Sequence, residues 1–182
     1  MFTDGLCGSA CTSFHEEMKN VAGVKSVVVG GRPIEGPMQV VGGTKGGEVY
    51  QLQRFVGLGV QIIDATDAIG ATSLHGTIIE DLASVSQLLV RTADSPSASR
   101  LQTQDAIRKG DKSGTPLQYI YEAADCRIWH TAKTLFDPGE AWKAAWTATW
   151  GDKGICVKGS TGDKSSISGG YKPFGPGPVS QS

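Results

Sequence analysis

The first thirty residues constrain the fold of this chain most, because they combine a strand-like entry, a turn, a helix and a strand. The entry ends at Asp4 and Gly5, and the segment after it carries apolar residues at helical spacing. Gly23 ends that segment, and the β-branched run 24–29 follows it. A helix and a strand at this distance predict an α/β unit with parallel strands. The apolar residues of the helix are Ala10, Phe14, Met18 and Val21.

The turn carries a serine, Ser9, at the start of the predicted helix. A hydroxyl there lies beside free backbone N–H groups and the positive end of the helix dipole, which favour developing negative charge. An acyl-transfer enzyme places its nucleophile in such surroundings. Serine is also an ordinary helix cap, and the layout taken by itself favours the cap.

Size and charge exclude several classes of protein. The 182 residues suit one domain with a substantial core. The 17 basic and 18 acidic side chains leave a net charge of −1, which offers no electrostatic basis for binding nucleic acid or an anionic membrane. No apolar run approaches the length of a membrane span, and no signal peptide is visible.

The four cysteines lack the spacing of a zinc site, so we expect no metal, and we expect no cofactor. Cys126 and Cys156 flank a compact segment and can be bridged in a secreted protein. Cys7 and Cys11 lie on either side of Ser9, and they are either bridged or simply small buried residues. The spacing does not decide between these possibilities.

The middle of the chain reads as a loop followed by helices. Residues 32–47 are rich in glycine and proline and contain a short strand at 38–41, which predicts an ordered loop near the site, with a flexible linker as the alternative. Helices are predicted over 50–69 and 76–90, and an exposed excursion over 93–114.

The last third of the chain reads as two strands and a helix. Residues 117–121 and 127–131 have the aromatic and β-branched content of strands. Asp137 and Pro138 then open a helix with Trp142, Ala145, Trp146 and Thr149 on one side.

A serine nucleophile needs a base, and the histidines are poorly placed for that role. His15 lies six residues along the same helix, roughly 9 Å further along its axis, and cannot reach Ser9. His75 and His130 can approach Ser9 only through tertiary folding, and such histidines are more often structural.

A lysine whose pKa is lowered by burial can replace histidine as the base. Lys45 lies within the glycine-rich stretch 42–47, where the backbone can approach a site closely. The alternative is that Lys45 is a solvated loop lysine.

The beginning of the chain resembles a known family. Residues 4–11, the helix after them and residues 23–31 resemble the tail-specific (C-terminal processing) serine peptidases, which are S41-like, and in particular their fungal secreted-type members. Residues 37–46, 121–128 and 142–156 resemble the same branch more loosely, so the likeness covers most of residues 1–158.

The resemblance implies a partial crotonase-like α/β fold with added helices. Residues 1–158 would form the C-terminal part of a catalytic domain. The glycine-, serine- and proline-rich residues 159–182 are expected to be a disordered tail.

The resemblance also implies a set of site residues for a serine-type endopeptidase, a hydrolase that works through an acyl-enzyme. Ser9 matches the nucleophile, and the backbone N–H of Ala10 would supply one oxyanion donor. Lys45 matches the base if residues 34–41 are counted as an insertion. Glu122 is an alternative, the orienting carboxylate of a histidine-dependent branch whose histidine would lie upstream.

The resemblance implies a polypeptide substrate and a secreted parent protein, and it leaves the oligomeric state open. The family's N-terminal cap and first core units have no counterpart here, so we expect a fragment with an incomplete site. The alternative is a non-catalytic binding or scaffold protein on the same fold. Acyl-CoA chemistry is a weaker third interpretation, because the motif is centred on a serine.

Overall fold

The computed structural model describes residues 1–84 and 100–173, which fold as mixed α/β structure. The described parts of Met1–Gly47 and Asp105–Ser182 form one compact unit, and those of Glu48–Gln104 form a second. The elements, in chain order, are β1 (Phe2–Thr3), α1 (Ala10–Asn20), β2 (Val27–Val29), β3 (Val49–Gln51), α2 (Leu52–Ala68), α3 (Ile78–Ala83), β4 (Arg100–Gln102), a 3-10 turn (Leu117–Tyr119), β5 (Cys126–Ile128), α4 (Ala132–Phe136), α5 (Pro138–Trp150) and 3-10 turns at Lys153–Ile155 and Ile167–Gly169.

The first unit is built on a parallel sheet of order β1-β2-β5. Phe2 pairs with Val27, and Val27 pairs in turn with Cys126. β1 and β2 are joined through α1, so the sheet confirms the α/β unit with parallel strands that the sequence predicts.

The sheet packs on both faces because successive side chains of a strand point to opposite sides. One cluster lies between the sheet and α5, and the other lies under the loop that follows β2. The first cluster contains Val27, Val29, Cys126, Ile128, Ala145 and Ala148. The second contains Cys7, Val28, Val40, Val41 and Ala124.

Helix α5 begins as the sequence predicts, but the large residues of the predicted side are exposed and Ala145 alone of that side is buried. The Asp137 carboxylate accepts a hydrogen bond from the backbone N–H of Gly139 at 2.8 Å, and Pro138 is the first helical residue. Trp142 and Trp146 are exposed. Small side chains let the helix approach the sheet closely, and the buried residues of α5 are Ala141, Ala145 and Ala148.

Helix α1 begins at Ala10, directly after the serine turn, yet its apolar stripe is not the buried face. Phe14 and Val21 are exposed. The buried residues are Thr12, His15, Glu16, Lys19 and Asn20. A polar face can be buried only when its groups find partners, so the contacts of this face decide how α1 packs.

Two of the predicted strands have a different structure. Residues 117–121 contain a 3-10 turn, Leu117–Tyr119, instead of a strand, so that prediction is wrong. Residues 38–41 form isolated bridges only, one of them from Gln39 to Ala123. Each segment contains a fully buried residue, Leu117 or Val40, but neither forms a continuous strand, which β-propensity alone does not show.

The second unit contains the helix predicted over 50–69, observed as α2. The helix predicted over 76–90 is observed as α3, and its residues 85–90 lie outside the described part of the chain. The same holds for residues 93–99 of the predicted excursion, after which β4 pairs with β3 in antiparallel fashion.

Residues 159–173 are packed, although their composition led us to expect a disordered tail. Ser160 and Ser166 are buried. The Ser160 hydroxyl accepts a hydrogen bond from the backbone N–H of Arg127 at 3.1 Å, and the Asp125 carboxylate accepts one from the N–H of Ser168 at 2.6 Å. Hydrogen bonds to hydroxyls and carboxylates replace apolar burial here, and residues 174–182 lie outside the described structure.

Arg127 holds the loop after β2 in place from inside the sheet. Its guanidinium donates to the carbonyls of Gly30 (2.8 Å), Ile34 (2.9 Å), Gly36 (3.3 Å) and Arg32. The side chain is buried, so these carbonyls depend on it for their hydrogen bonds.

We expect Arg127→Met to lower the free energy of unfolding by about 3 kcal/mol, because it leaves the buried carbonyl of Gly30 and the part-buried carbonyls of the loop without their donor. Urea unfolding at pH 7 measures the change. Arg32→Met is the matched control, since Arg32 is an exposed arginine of the same loop and its carbonyl stays in place. Equal losses for the two variants would contradict this role of Arg127.

Candidate active site

Ser9 occupies a strained turn between the carboxyl end of β1 and the first turn of α1. Its φ is 52° and its ψ is −120°. Among the residues that the structure describes, it is the only non-glycine with a positive φ. Such a conformation costs on the order of 1–3 kcal/mol and persists only when the surroundings impose it.

The Ser9 side chain does not cap the helix. It makes no capping hydrogen bond, and the residue is exposed. Within residues 1–84 and 100–173, the backbone N–H of Ala10 donates no hydrogen bond either. An exposed hydroxyl therefore lies beside an unpaired N–H at a helix N-terminus, where negative charge is favoured.

A glycine-rich segment after β2 lies along the serine turn. The carbonyl of Thr44 accepts a hydrogen bond from the N–H of Ser9 at 2.7 Å, and the carbonyl of Cys7 accepts one from the N–H of Gly43 at 3.0 Å. A Cβ added to Gly43 would lie 3.0 Å from Cα of Gly8, so a larger residue would push the two backbones apart. These backbone contacts bring the residue after Thr44, Lys45, next to the turn.

Lys45 is buried rather than solvated, with 4% of its surface exposed. Its Nζ donates to Oε1 of Gln39 at 2.6 Å and to the carbonyl of Ile120. Burial lowers the pKa of Lys45, while the carboxylate of Glu122 acts in the opposite direction. No hydrogen bond joins Nζ to the Ser9 hydroxyl in the described structure, so the two residues are linked through backbone contacts.

The buried face of α1 contacts an ionic cluster behind the turn. Arg108 donates to Oε1 of Glu16 at 2.7 Å and to Oε1 of Glu122 at 2.9 Å. Lys19 donates to the same oxygen of Glu122 at 2.8 Å. We call Glu16, Lys19, Arg108 and Glu122 the ionic cluster. The hydroxyl of Tyr171 extends it by accepting from Arg108 at 3.2 Å.

The two carboxylates of the ionic cluster titrate differently. Burial raises the pKa of Glu16 to about 7, although its hydrogen bond with Arg108 opposes that shift. Burial also acts to raise the pKa of Glu122, but the charges of Lys19 and Arg108 outweigh it and lower the pKa to about 2. Glu122 therefore stays ionised at physiological pH.

Among the described residues, no histidine hydrogen-bonds to the Glu122 carboxylate, although the charge of Glu122 acts on the buried His15. The Lys19 and Arg108 side chains donate to this carboxylate. His15 is buried, Nδ1 of its ring has no hydrogen-bond partner among the described residues, and burial lowers its pKa to about 4. His75 lies in the second unit with Asp67 and Glu80. The role of Glu122 as an orienting carboxylate stays a prediction.

The sequence pointed to Glu122 alone among the members of the ionic cluster, and Glu16, Lys19 and Arg108 were missed. Their signal was the helical spacing of the polar residues Thr12, Glu16 and Lys19.

Over the described ranges, no group of three or more His, Cys, Asp or Glu side chains is placed to hold a metal. A search of the same ranges found no helix with the length and apolar character needed to cross a bilayer.

Both pairs of cysteines form disulfides. Cys7 is bonded to Cys11, with their Cα atoms 5.3 Å apart, and Cys126 is bonded to Cys156. This decides the question that their spacing left open.

An exposed, uncapped serine beside a loop with a buried lysine is an arrangement that can support acyl transfer through a serine and a lysine. Comparison with known proteins leads to the family. The chain is 36% identical over 173 residues to peptidase S41 family protein ustP of Aspergillus flavus. The aligned region covers 89% of this chain and 35% of that protein.

Two proteins of Diaporthe leptostromiformis, peptidase S41 family proteins phomP1 and phomP1', are 30% and 29% identical over 175 residues. Each match covers 83% of this chain and 26% of the relative. The chain therefore belongs to an S41-like family, which confirms the resemblance, and it spans about a quarter to a third of the length of these relatives. No family model and no solved structure matches it.

We expect Glu122→Gln to lower the free energy of unfolding at pH 7 by about 3–5 kcal/mol, because it leaves buried cations with one carboxylate fewer. The wild-type contribution is present above the ordinary pKa of 4.5 and is lost as the pH falls toward about 2. Urea unfolding at pH 7 and at pH 3 should therefore show a smaller difference between variant and wild type at pH 3.

The control for this prediction is Glu140→Gln, which breaks an exposed ion pair with Lys143. A loss below about 1 kcal/mol is expected there. A pH-independent difference between wild type and Glu122→Gln would contradict the ionised state of Glu122.

Proposed function

We propose that this chain carries the nucleophile of a serine-type endopeptidase with a crotonase-like α/β fold. The observation that carries the proposal is the uncapped, strained Ser9 at the N-terminus of α1, beside the loop of the buried Lys45. The names of the S41 relatives support a peptidase and a polypeptide substrate. Residues 1–158 would belong to the C-terminal part of the catalytic domain.

In the proposed reaction, the Ser9 hydroxyl oxygen attacks the carbonyl carbon of a peptide bond, and its proton passes to neutral Lys45. The resulting oxyanion accepts a hydrogen bond from the Ala10 N–H and is stabilised by the helix dipole. Lys45 then donates its proton to the leaving amine, and an acyl-enzyme on Ser9 remains. Water hydrolyses this ester and restores the serine.

The reaction requires Lys45 to be neutral and mobile. Burial meets the first requirement by lowering the pKa of Lys45. The second requires Nζ to exchange one of its hydrogen bonds, to Gln39 or to the Ile120 carbonyl, for one to Ser9. Catalytic hydrogen bonds often form fully only in the complex with substrate, so the present contacts fit a resting state.

The first test asks whether Ser9 is an activated nucleophile. A fluorophosphonate probe should label the 182-residue chain, and Ser9→Ala should abolish the labelling, because the probe reacts with the serine oxygen. Ser13→Ala is the matched control, since Ser13 is an exposed serine on the same helix, and it should label like wild type. Absence of labelling in the wild-type chain, or equal labelling of Ser9→Ala, would overturn the proposal.

The second test asks whether Lys45 is the base. Lys45→Met keeps the length of the side chain and removes the amine, so the labelling rate should fall by about 10²–10⁴. The wild-type rate should rise with pH through the lowered pKa of Lys45, because only the neutral amine accepts a proton. The rate of the variant should lack this rise.

Lys25→Met, which alters an exposed lysine, is the control for that test and should keep the wild-type pH profile. A Lys45→Met variant that labels at the wild-type rate would exclude Lys45 as the base and leave Ser9 in need of another partner.

A further inference from the structure

We propose that the Cys7–Cys11 disulfide is a positioning element that holds Ser9 in its reactive conformation. This inference rests on the proposed function of Ser9 as the nucleophile. It assigns to the cystine a role in the geometry of the site, distinct from a contribution to overall stability.

The disulfide spans the serine. Its two cysteines are four residues apart, and Ser9 lies midway between them. Cys7 is buried in the core cluster with Val28 and Val41. Cys11 is the second residue of α1. The bond therefore ties the first turn of the helix to the core directly across the nucleophile.

The turn needs such a constraint because its backbone is strained. With φ at 52°, Ser9 adopts a conformation that side-chain-bearing residues avoid, and it persists only where neighbouring contacts impose it. A capping hydrogen bond from the serine, which would normally help to fix the helix start, is absent from the described structure. Ser9 is instead held by the hydrogen bond from its N–H to Thr44, by helical hydrogen bonds from Thr12 and Ser13 to its carbonyl, and by the disulfide around it. The bridge is the covalent one of these constraints.

A local role is also what the size of the loop suggests. The entropy that a disulfide removes from the unfolded chain grows with the length of the loop it closes. The Cys7–Cys11 bridge closes a loop of separation 4, whereas Cys126–Cys156 closes one of separation 30 and joins β5 to the segment after α5. The second bridge should contribute more to overall stability, and the first should act on the turn.

This contrast provides a matched control within the chain. Cys7→Ala/Cys11→Ala should reduce the maximal rate of fluorophosphonate labelling by about tenfold to a hundredfold, because a displaced nucleophile reacts far more slowly. Its melting temperature should change less than that of Cys126→Ala/Cys156→Ala. The second double variant, assayed well below its melting temperature, should label within about twofold of wild type.

Amide hydrogen exchange supplies a readout that does not depend on labelling. Exchange at residues 9–12 should become faster in Cys7→Ala/Cys11→Ala and stay at the wild-type rate in the control variant. Cys11→Ser, which leaves the buried Cys7 in place, is the second variant if the double substitution does not fold. Wild-type labelling and wild-type exchange in the variants without the bridge would overturn the inference.

The two proposals fail in distinguishable ways. If the wild-type chain does not label, the proposed function fails, and the exchange rates at residues 9–12 alone decide whether the disulfide orders the turn. If the wild type labels and loss of either bridge slows labelling equally, Ser9 is the nucleophile and the positioning role of Cys7–Cys11 is wrong.

Discussion

The placement of α1 depends on the ion pairs of Arg108. Its guanidinium bridges Glu16 on the helix to Glu122 on the segment that leads into β5, and both partners are buried with it. Hydrogen bonds between a guanidinium and carboxylates are directional, so they fix geometry as well as contributing energy. The orientation of α1 is thereby defined by a polar interaction, and the helix carries Ser9 at its N-terminus.

The same burial serves the chemistry that we propose for Lys45. The interior that excludes water from the ionic cluster also lowers the pKa of Lys45, while the charge on Glu122 limits that effect. Around Ser9 the constraints are of a different kind, namely backbone hydrogen bonds, close-packed glycines and a disulfide. The buried side of α1 thus carries charges that act on the pKa of Lys45. The contacts at its N-terminal end fix the conformation of Ser9.

The local features of this site could be predicted from the sequence, and the long-range ones could not. The strand–turn–helix–strand order, the start of α5 and the family were evident from spacing, capping residues and motif. The long-range partner of Glu16 could not be found in that way, because Arg108 lies 92 residues further along the chain and no local pattern links the two. Residues 117–121 were misassigned because their backbone N–H groups bond locally, from Tyr119 to Pro116 and from Ile120 to Leu117, and β-propensity does not reveal such bonds. Likewise, composition could not show that serine hydroxyls anchor residues 159–173.

That hydroxyl-bonded segment forms part of the wall between the ionic cluster and the solvent. The carbonyl of Ser165 accepts a hydrogen bond from Lys19 at 2.8 Å, and Nζ of Lys19 lies 4.3 Å from the centre of the Tyr171 ring. The segment is itself anchored by the hydroxyls of Ser160 and Ser165, which accept hydrogen bonds from backbone N–H groups, and each such bond contributes only about 1 kcal/mol net. Detachment of the segment would let water reach the ionic cluster. It would also reduce the burial that lowers the pKa of Lys45. Serine hydroxyls therefore help to hold in place the segment that separates the ionic cluster from water.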